Sequence, residues 1–135
     1  MAMPGDDVAI IKRVYVAFAA RDQAALEALS ADNAVVHNAI TGSAQGQERY
    51  EGRAALAKFL ADVELTWTRL ELRPKTFHST RPGSVLVAGT VFVSRDGHAE
   101  ELPAAWSWKL VEGKVTYVRV LPTAEAYRML AASAS

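Results

Sequence analysis

Three tight-turn signals punctuate the second half of the chain: Arg81-Pro82-Gly83-Ser84, Asp96-Gly97 and Glu112-Gly113. They separate residues 69–80, which alternate loosely, 85–94, which are rich in β-branched side chains, 100–111 and 114–121. Long strands joined by turns this short pair with their sequence neighbours, so this half predicts an antiparallel meander of four strands. A meander has to bury one face, and the cover must come from elsewhere in the chain.

The first half supplies that cover. A helix is expected to begin near Asp6 or Asp7, either of which can accept from a first-turn N–H. It continues with Ile10, Ile11, Val14, Tyr15 and Phe18, the spacing of one buried stripe. A second short helix is expected from the cap residue Asp22 through Leu26 and Leu29, ending at Asp32 or Asn33. Residues 34–38 read as a short strand, and 41–52 as a loop of small and polar residues. A third helix is expected over 54–64, with Leu56, Phe59, Leu60 and Val63 on one face. After Pro122 one helical turn is expected around Tyr127 and Leu130. Helices segregated from a meander define an α+β domain, read as one unit over residues 1–135. A curved sheet covered by helices leaves a pocket between the layers.

Composition narrows the function. Fifteen basic residues balance fifteen acidic ones in 135. That leaves no electrostatic footprint for nucleic acid or an anionic membrane. There is no cysteine, which removes thiolate metal sites and thiol nucleophiles. His37, His78 and His98 do not stand at metal-ligand spacing, so neither a metal nor a cofactor is expected. Residues 1–7 lack the basic start and apolar run of a secretory signal, and no apolar stretch reaches the roughly 18 residues of a membrane span. A cytoplasmic protein is the expectation.

The motifs resemble the nuclear-transport-factor-2-like superfamily, in particular its ketosteroid isomerase and SnoaL-like polyketide cyclase branches. Arg13, Ala17 and Asp22, then Ala28-Leu29-x-Ala31-Asp32-x-Ala34-x-Val36, carry most of the likeness. Tyr50-Glu51-Gly52-Arg53-x-x-Leu56-x-x-Phe59 resembles the family's entry to its third helix, and Trp106-x-Trp108 with Gly113-Lys114-Val115 resembles its closing hairpin. The resemblance implies a cone-shaped α+β barrel wrapped by three helices, a small hydrophobic ligand, and a homodimer formed through the outer sheet face with Thr90, Phe92, Ser107 and Tyr117.

It also implies which positions to inspect. The ketosteroid isomerase base falls on Asn38, its helix-1 tyrosine on Val14 beside Tyr15, and its oxyanion-hole aspartate on Ala104. An amide abstracts no proton at neutral pH, so ordinary ketosteroid isomerase chemistry is not expected. The charged set of the limonene epoxide hydrolase branch falls on Gly89, Val91 and Val120, which do not ionise.

The resemblance places Val14, Phe18, Val36, Phe59, Val91, Trp106, Trp108, Val118 and Val120 around the ligand, together with Val93 and Ala104. Aromatic walls of this kind suit a flat apolar molecule. Candidates for chemistry are Asn38 to orient a carbonyl, hydroxyl or water, His78 as a general base and Tyr15 as an acid. His37 is expected on the opposite sheet face and His98 in solvent. Residues 48–51 are a candidate lid. Three readings stay open: an isomerase, cyclase or dehydratase of polycyclic or polyketide-like substrates; a non-catalytic binding module; and a dimerisation scaffold with a filled barrel.

Overall fold

The computed structural model describes residues 4–38 and 49–121. Within them α1 spans Pro4–Ala19, α2 Gln23–Ala28, β1 Ser30–Asn38, β2 Arg49–Glu51, α3 Ala55–Thr66, β3 Arg69–Arg81, β4 Ser84–Arg95, β5 His98–Val111 and β6 Lys114–Leu121. The six strands form one curved sheet in the order β2-β1-β6-β5-β4-β3. Its pairs are antiparallel except β1 with β6, which run parallel from Ser30 opposite Val115 to Asn38 opposite Val120. The predicted α+β class and the four-strand meander are therefore present. The last strand returns beside the first, which sets β1 into the sheet.

The turns follow their residues. Asp96 and Gly97 (φ 51° and 81°), like Glu112 and Gly113 (51° and 77°), have both central residues at positive φ, the backbone that matches strand twist in two-residue hairpins. Pro82 and Gly83 (φ 78°) suit a type II turn, with proline at its second position and glycine at its third. That turn is docked: Leu110 N–H donates to the Gly83 carbonyl at 2.9 Å.

β3 carries a bulge between Pro74 and Thr76, opposite Gly89 and Ala88 of β4. Proline brings no N–H to the ladder, so the strand breaks step there. The bend drives backbone onto backbone: a Cβ on Gly89 would lie 2.1 Å from the Arg73 carbonyl oxygen.

α1 packs on β3 and β4, and α3 on β1 and β2. The α1 stripe is buried at Ile11, Val14, Tyr15 and Phe18, as its spacing predicts. Asp6 and Asp7 do not begin the helix. It starts at Pro4, where a fixed φ suits the first turn, and the buried Asp7 carboxylate instead accepts from Gly83 N–H at 2.7 Å. This bond ties the start of α1 to the β3–β4 turn.

The end of α1 closes with Arg21 N–H on the Phe18 carbonyl (3.1 Å) and Asp22 N–H on that of Ala17 (2.9 Å), a Schellman pair. Arg21 takes φ 58° there, where glycine is usual and a side chain costs about 1–2 kcal/mol. Asp22 caps α2 as expected, accepting from Ala25 N–H at 3.1 Å.

Four expectations are corrected. α2 ends at Ala28, so Asp32 and Asn33 lie inside β1. β1 starts at Ser30 because its register slips between Ser30 and Val35, which hides its length from alternation. α3 runs on to Thr66. Residues 49–51 are a strand on the β1 edge with Tyr50 buried, not a lid. Glu48, most of the expected loop, and the turn around Tyr127 and Leu130 lie outside the described residues.

Gly89→Ala is expected to destabilise the fold by about 3 kcal/mol or more, at or beyond the top of the usual overpacking range. Gly97→Ala, with no atom within 4 Å of its added Cβ, is expected to cost only the roughly 1–2 kcal/mol of its positive φ. Urea unfolding of both variants checks the ranking.

Candidate functional site

Two rows of side chains cross the concave sheet face. The cross-strand register lines up Val36, Val118, Trp108 and Val85 in one row, and Asn38, Val120, Trp106, Val87 and Phe77 in the next. Over these rows α1 lays Val14, Tyr15 and Phe18, and α3 lays Leu56 and Phe59. Together with Leu72 of β3, they enclose a cavity of about 20 Å³ against Val36, Trp106, Trp108, Val118 and Val120. That is room for about one water molecule.

Aromatic packing accounts for the small volume. The Tyr15 ring meets Phe77, Trp106 and Trp108 edge-on, at centroid distances of 5.9, 5.6 and 5.6 Å. Phe18 lies 5.7 Å from Phe59, which in turn meets Tyr50 at 5.8 Å. Edge-on pairs set the positive ring rim against the negative ring face, which favours these angles over a stacked pair.

One polar contact crosses this apolar space. Trp108 Nε1–H donates to Tyr15 Oη at 3.2 Å, both groups buried. Burial pushes the Tyr15 hydroxyl well above its ordinary value, and the Trp108 bond opposes this only in part. Tyr15 therefore stays a neutral phenol. Its oxygen accepts from the indole, and among the described residues no acceptor for its proton is found. The chemistry available at this atom is donation.

The other candidates are placed as follows. Asn38 is buried at the end of β1, beside Val120, outside the cavity lining. Val91 and Val93 are buried, paired with Leu72 and Leu70, and also stand outside it. Ala104 is buried opposite Gly89. His78 is not brought to the cavity: it is exposed, next to Phe77, whose ring turns in toward Tyr15. The physical reason is the bulge. One extra residue flips the alternation after Pro74, so Phe77 takes the inward place that uninterrupted parity assigns to His78. His98 is exposed and His37 half-buried. Among the described residues, no group of three or more His, Asp or Glu side chains could hold a metal.

Sequence reasoning missed Leu56 and Leu72. Leu56 is legible, three residues before Phe59 on the same helical face. Leu72 becomes legible only with the strand parity before the bulge.

A SnoaL-like domain model matches residues 11–118. The chain belongs to this family, within the nuclear-transport-factor-2-like superfamily. No curated protein matches the chain at a significant level. Among solved structures it is similar to TerC co-crystallised with polyporic acid: TM-score 0.77, 23% identity, 95% of this chain and 99% of that one. A nuclear-transport-factor-2-like protein from Burkholderia xenovorans LB400 gives 0.75 at 23% identity, covering 98% of each. A Mycobacterium tuberculosis protein in complex with estradiol-17beta-hemisuccinate gives 0.72 at 16%, covering 90% and 96%. At these identities the likeness carries the fold. Among the described residues, no helix is long and apolar enough to cross a membrane.

A phenol held neutral by burial resists alkali until the fold opens. Its folded value lies above the unfolded value of about 10. The stability it contributes is thus complete below that pH and lost as pH rises through the folded value. Phenolate absorbance during alkaline titration is expected to be the same for the native protein and Tyr15→Phe before unfolding. It should differ by one tyrosine after it.

Proposed function

We propose that the interior cavity binds a small hydrophobic, polycyclic or polyketide-like molecule, and that the Tyr15 hydroxyl donates to one of its oxygens during an isomerisation, cyclisation or dehydration. The observation that carries this reading is the aromatic cavity with a neutral, buried phenol held by Trp108. A donor at a carbonyl oxygen stabilises the charge that develops there as an enol forms or a ring closes. The ligands in two similar structures support the ligand class. Val14, Phe18, Val36, Phe59, Val118 and Val120 supply shape, and Trp106 and Trp108 supply flat walls. Asn38, at the β1 end of the Trp106 and Val120 row and outside the lining, acts on a longer substrate. The proposed unit is the whole chain, residues 1–135, cytoplasmic and free of cofactor. It pairs with a second copy through the outer sheet face, where Thr90, Phe92, Ser107 and Tyr117 are half-buried in the lone chain.

A second reading is favoured by a specific observation. Among the described residues, no carboxylate or imidazole lines the cavity. Binding without turnover is then the function, and Tyr15 fixes the orientation of the ligand.

The test is thermal unfolding against steroids, terpenoids and aromatic polyketides, followed by product analysis on whatever binds. A ligand at 100 times its Kd stabilises by about 2.7 kcal/mol, which raises Tm by several degrees. Tyr15→Phe is expected to weaken a ketone-bearing ligand by roughly three- to tenfold and leave its hydrocarbon counterpart unchanged. Product formed by the native protein and lost in Tyr15→Phe supports catalysis. Binding without product supports the second reading, and no shift with any ligand removes both.

A further inference from the structure

The cavity is too small for any ring system, so a ligand has to displace part of its wall, and one part stands out. Every lining residue is buried except Leu72, which is half-buried. Leu72 sits on β3, which ends the sheet among the described residues. On that side lies a groove of about 220 Å³, between the end of α1 and β3. Tyr15, Phe18 and Leu72 line both spaces, so only side chains separate them.

Arg21 closes this seam. Its guanidinium donates to the Leu70 carbonyl of β3 at 2.9 Å and to the Phe18 carbonyl at 3.3 Å. It also lies over the Phe18 ring, 5.2 Å from its centroid. Carbonyls orient the cation without neutralising it. Its carboxylate neighbour is Glu64, at 4.0 Å and half-exposed. The other groove charges are already engaged. Glu71 is held by Arg69 and Arg73, which keep its carboxyl below its usual value, and Arg73 also pairs with Glu101. The left-handed backbone at Arg21, where glycine would relax, is the kind of retained strain that accompanies a working side chain.

We propose that the α1–β3 seam is the ligand's entry, and that Arg21 is an anion receptor at its rim. The ligand is amphipathic: an apolar ring body that displaces Phe18 and Leu72 to lie beneath Tyr15, and a carboxylate or similar anion that takes the guanidinium over from the two carbonyls. The inference rests on the cavity being a ligand site and names the ligand's charged end.

Two fluorescent probes share one ring body: N-phenylnaphthylamine is neutral, and anilinonaphthalene sulfonate carries an anion. Titration of the full chain, read by energy transfer from the tryptophans, is expected to show the sulfonate bound about tenfold more tightly, the scale of one charge-assisted hydrogen bond. Arg21→Asn, which tolerates the positive φ, is expected to bring the two affinities together, while Arg21→Lys keeps part of the preference. Near-ultraviolet circular dichroism checks that both variants fold. A preference that survives in Arg21→Asn, or equal binding of the probes by the native chain, overturns the seam and leaves the cavity reading standing. Binding of neither probe takes down the cavity reading, and this inference with it.

Discussion

The contact between Trp108 Nε1 and Tyr15 Oη joins residues 93 apart in sequence, and the interior is built around it. A buried indole N–H without an acceptor costs about 1–3 kcal/mol, so β5 needs an oxygen opposite it. α1 supplies that oxygen in one rotational setting only, because a step of one residue turns a side chain by about 100°. With Tyr15 so fixed, Val14 and Phe18 fall on either side of it against the sheet. The three edge-on ring contacts of Tyr15 then set how far helix and sheet stand apart. The cavity volume is thus a consequence of aromatic ring size. The same burial keeps the phenol protonated, which confines it to donation.

The bulge at Pro74 is the second determinant, and it works with Gly89. Strand β3 bends there because proline cannot complete the ladder, and β4 accommodates the bend because position 89 has no Cβ. Before the bulge Leu70 and Leu72 face the helices, and after it Phe77 does. Had β3 run without it, His78 would stand where Phe77 meets Tyr15, with an imidazole beside a phenol. The strand irregularity therefore decides whether the site holds a base.

Much of this was legible in the sequence. Asp96-Gly97 and Glu112-Gly113 announce their hairpins because few residues other than glycine, asparagine and aspartate accept positive φ readily, and β6 is found at its predicted limits. The α1 stripe follows from periodicity, and the inward Trp106 and Trp108 from the family resemblance. What stayed hidden was non-local. β2 is three residues long, and its pairing with β1 leaves no pattern in so short a run. Asp7 reads as a helix cap because its partner, Gly83, is 76 residues away. Leu72, Phe77 and His78 were ambiguous because parity across a bulge cannot be counted until the bulge is known.

The division of polarity between interior and rim follows from solvation. A guanidinium placed beneath Tyr15 would lose its water and find no carboxylate among Val14, Phe59, Val118 and Val120, at a cost of several kcal/mol. At the seam Arg21 keeps about a third of its side chain in solvent, while two carbonyls fix its direction. The interior holds a neutral phenol as its donor, and the Arg21 cation stands where β3 ends the sheet among the described residues. On the proposed reading, the two groups together measure a ligand at both ends. One reads an oxygen on the ring body by a hydrogen bond whose net worth is small, and the other reads charge. On that reading the greater share of discrimination falls to the rim, on the strand that ends the sheet among the described residues.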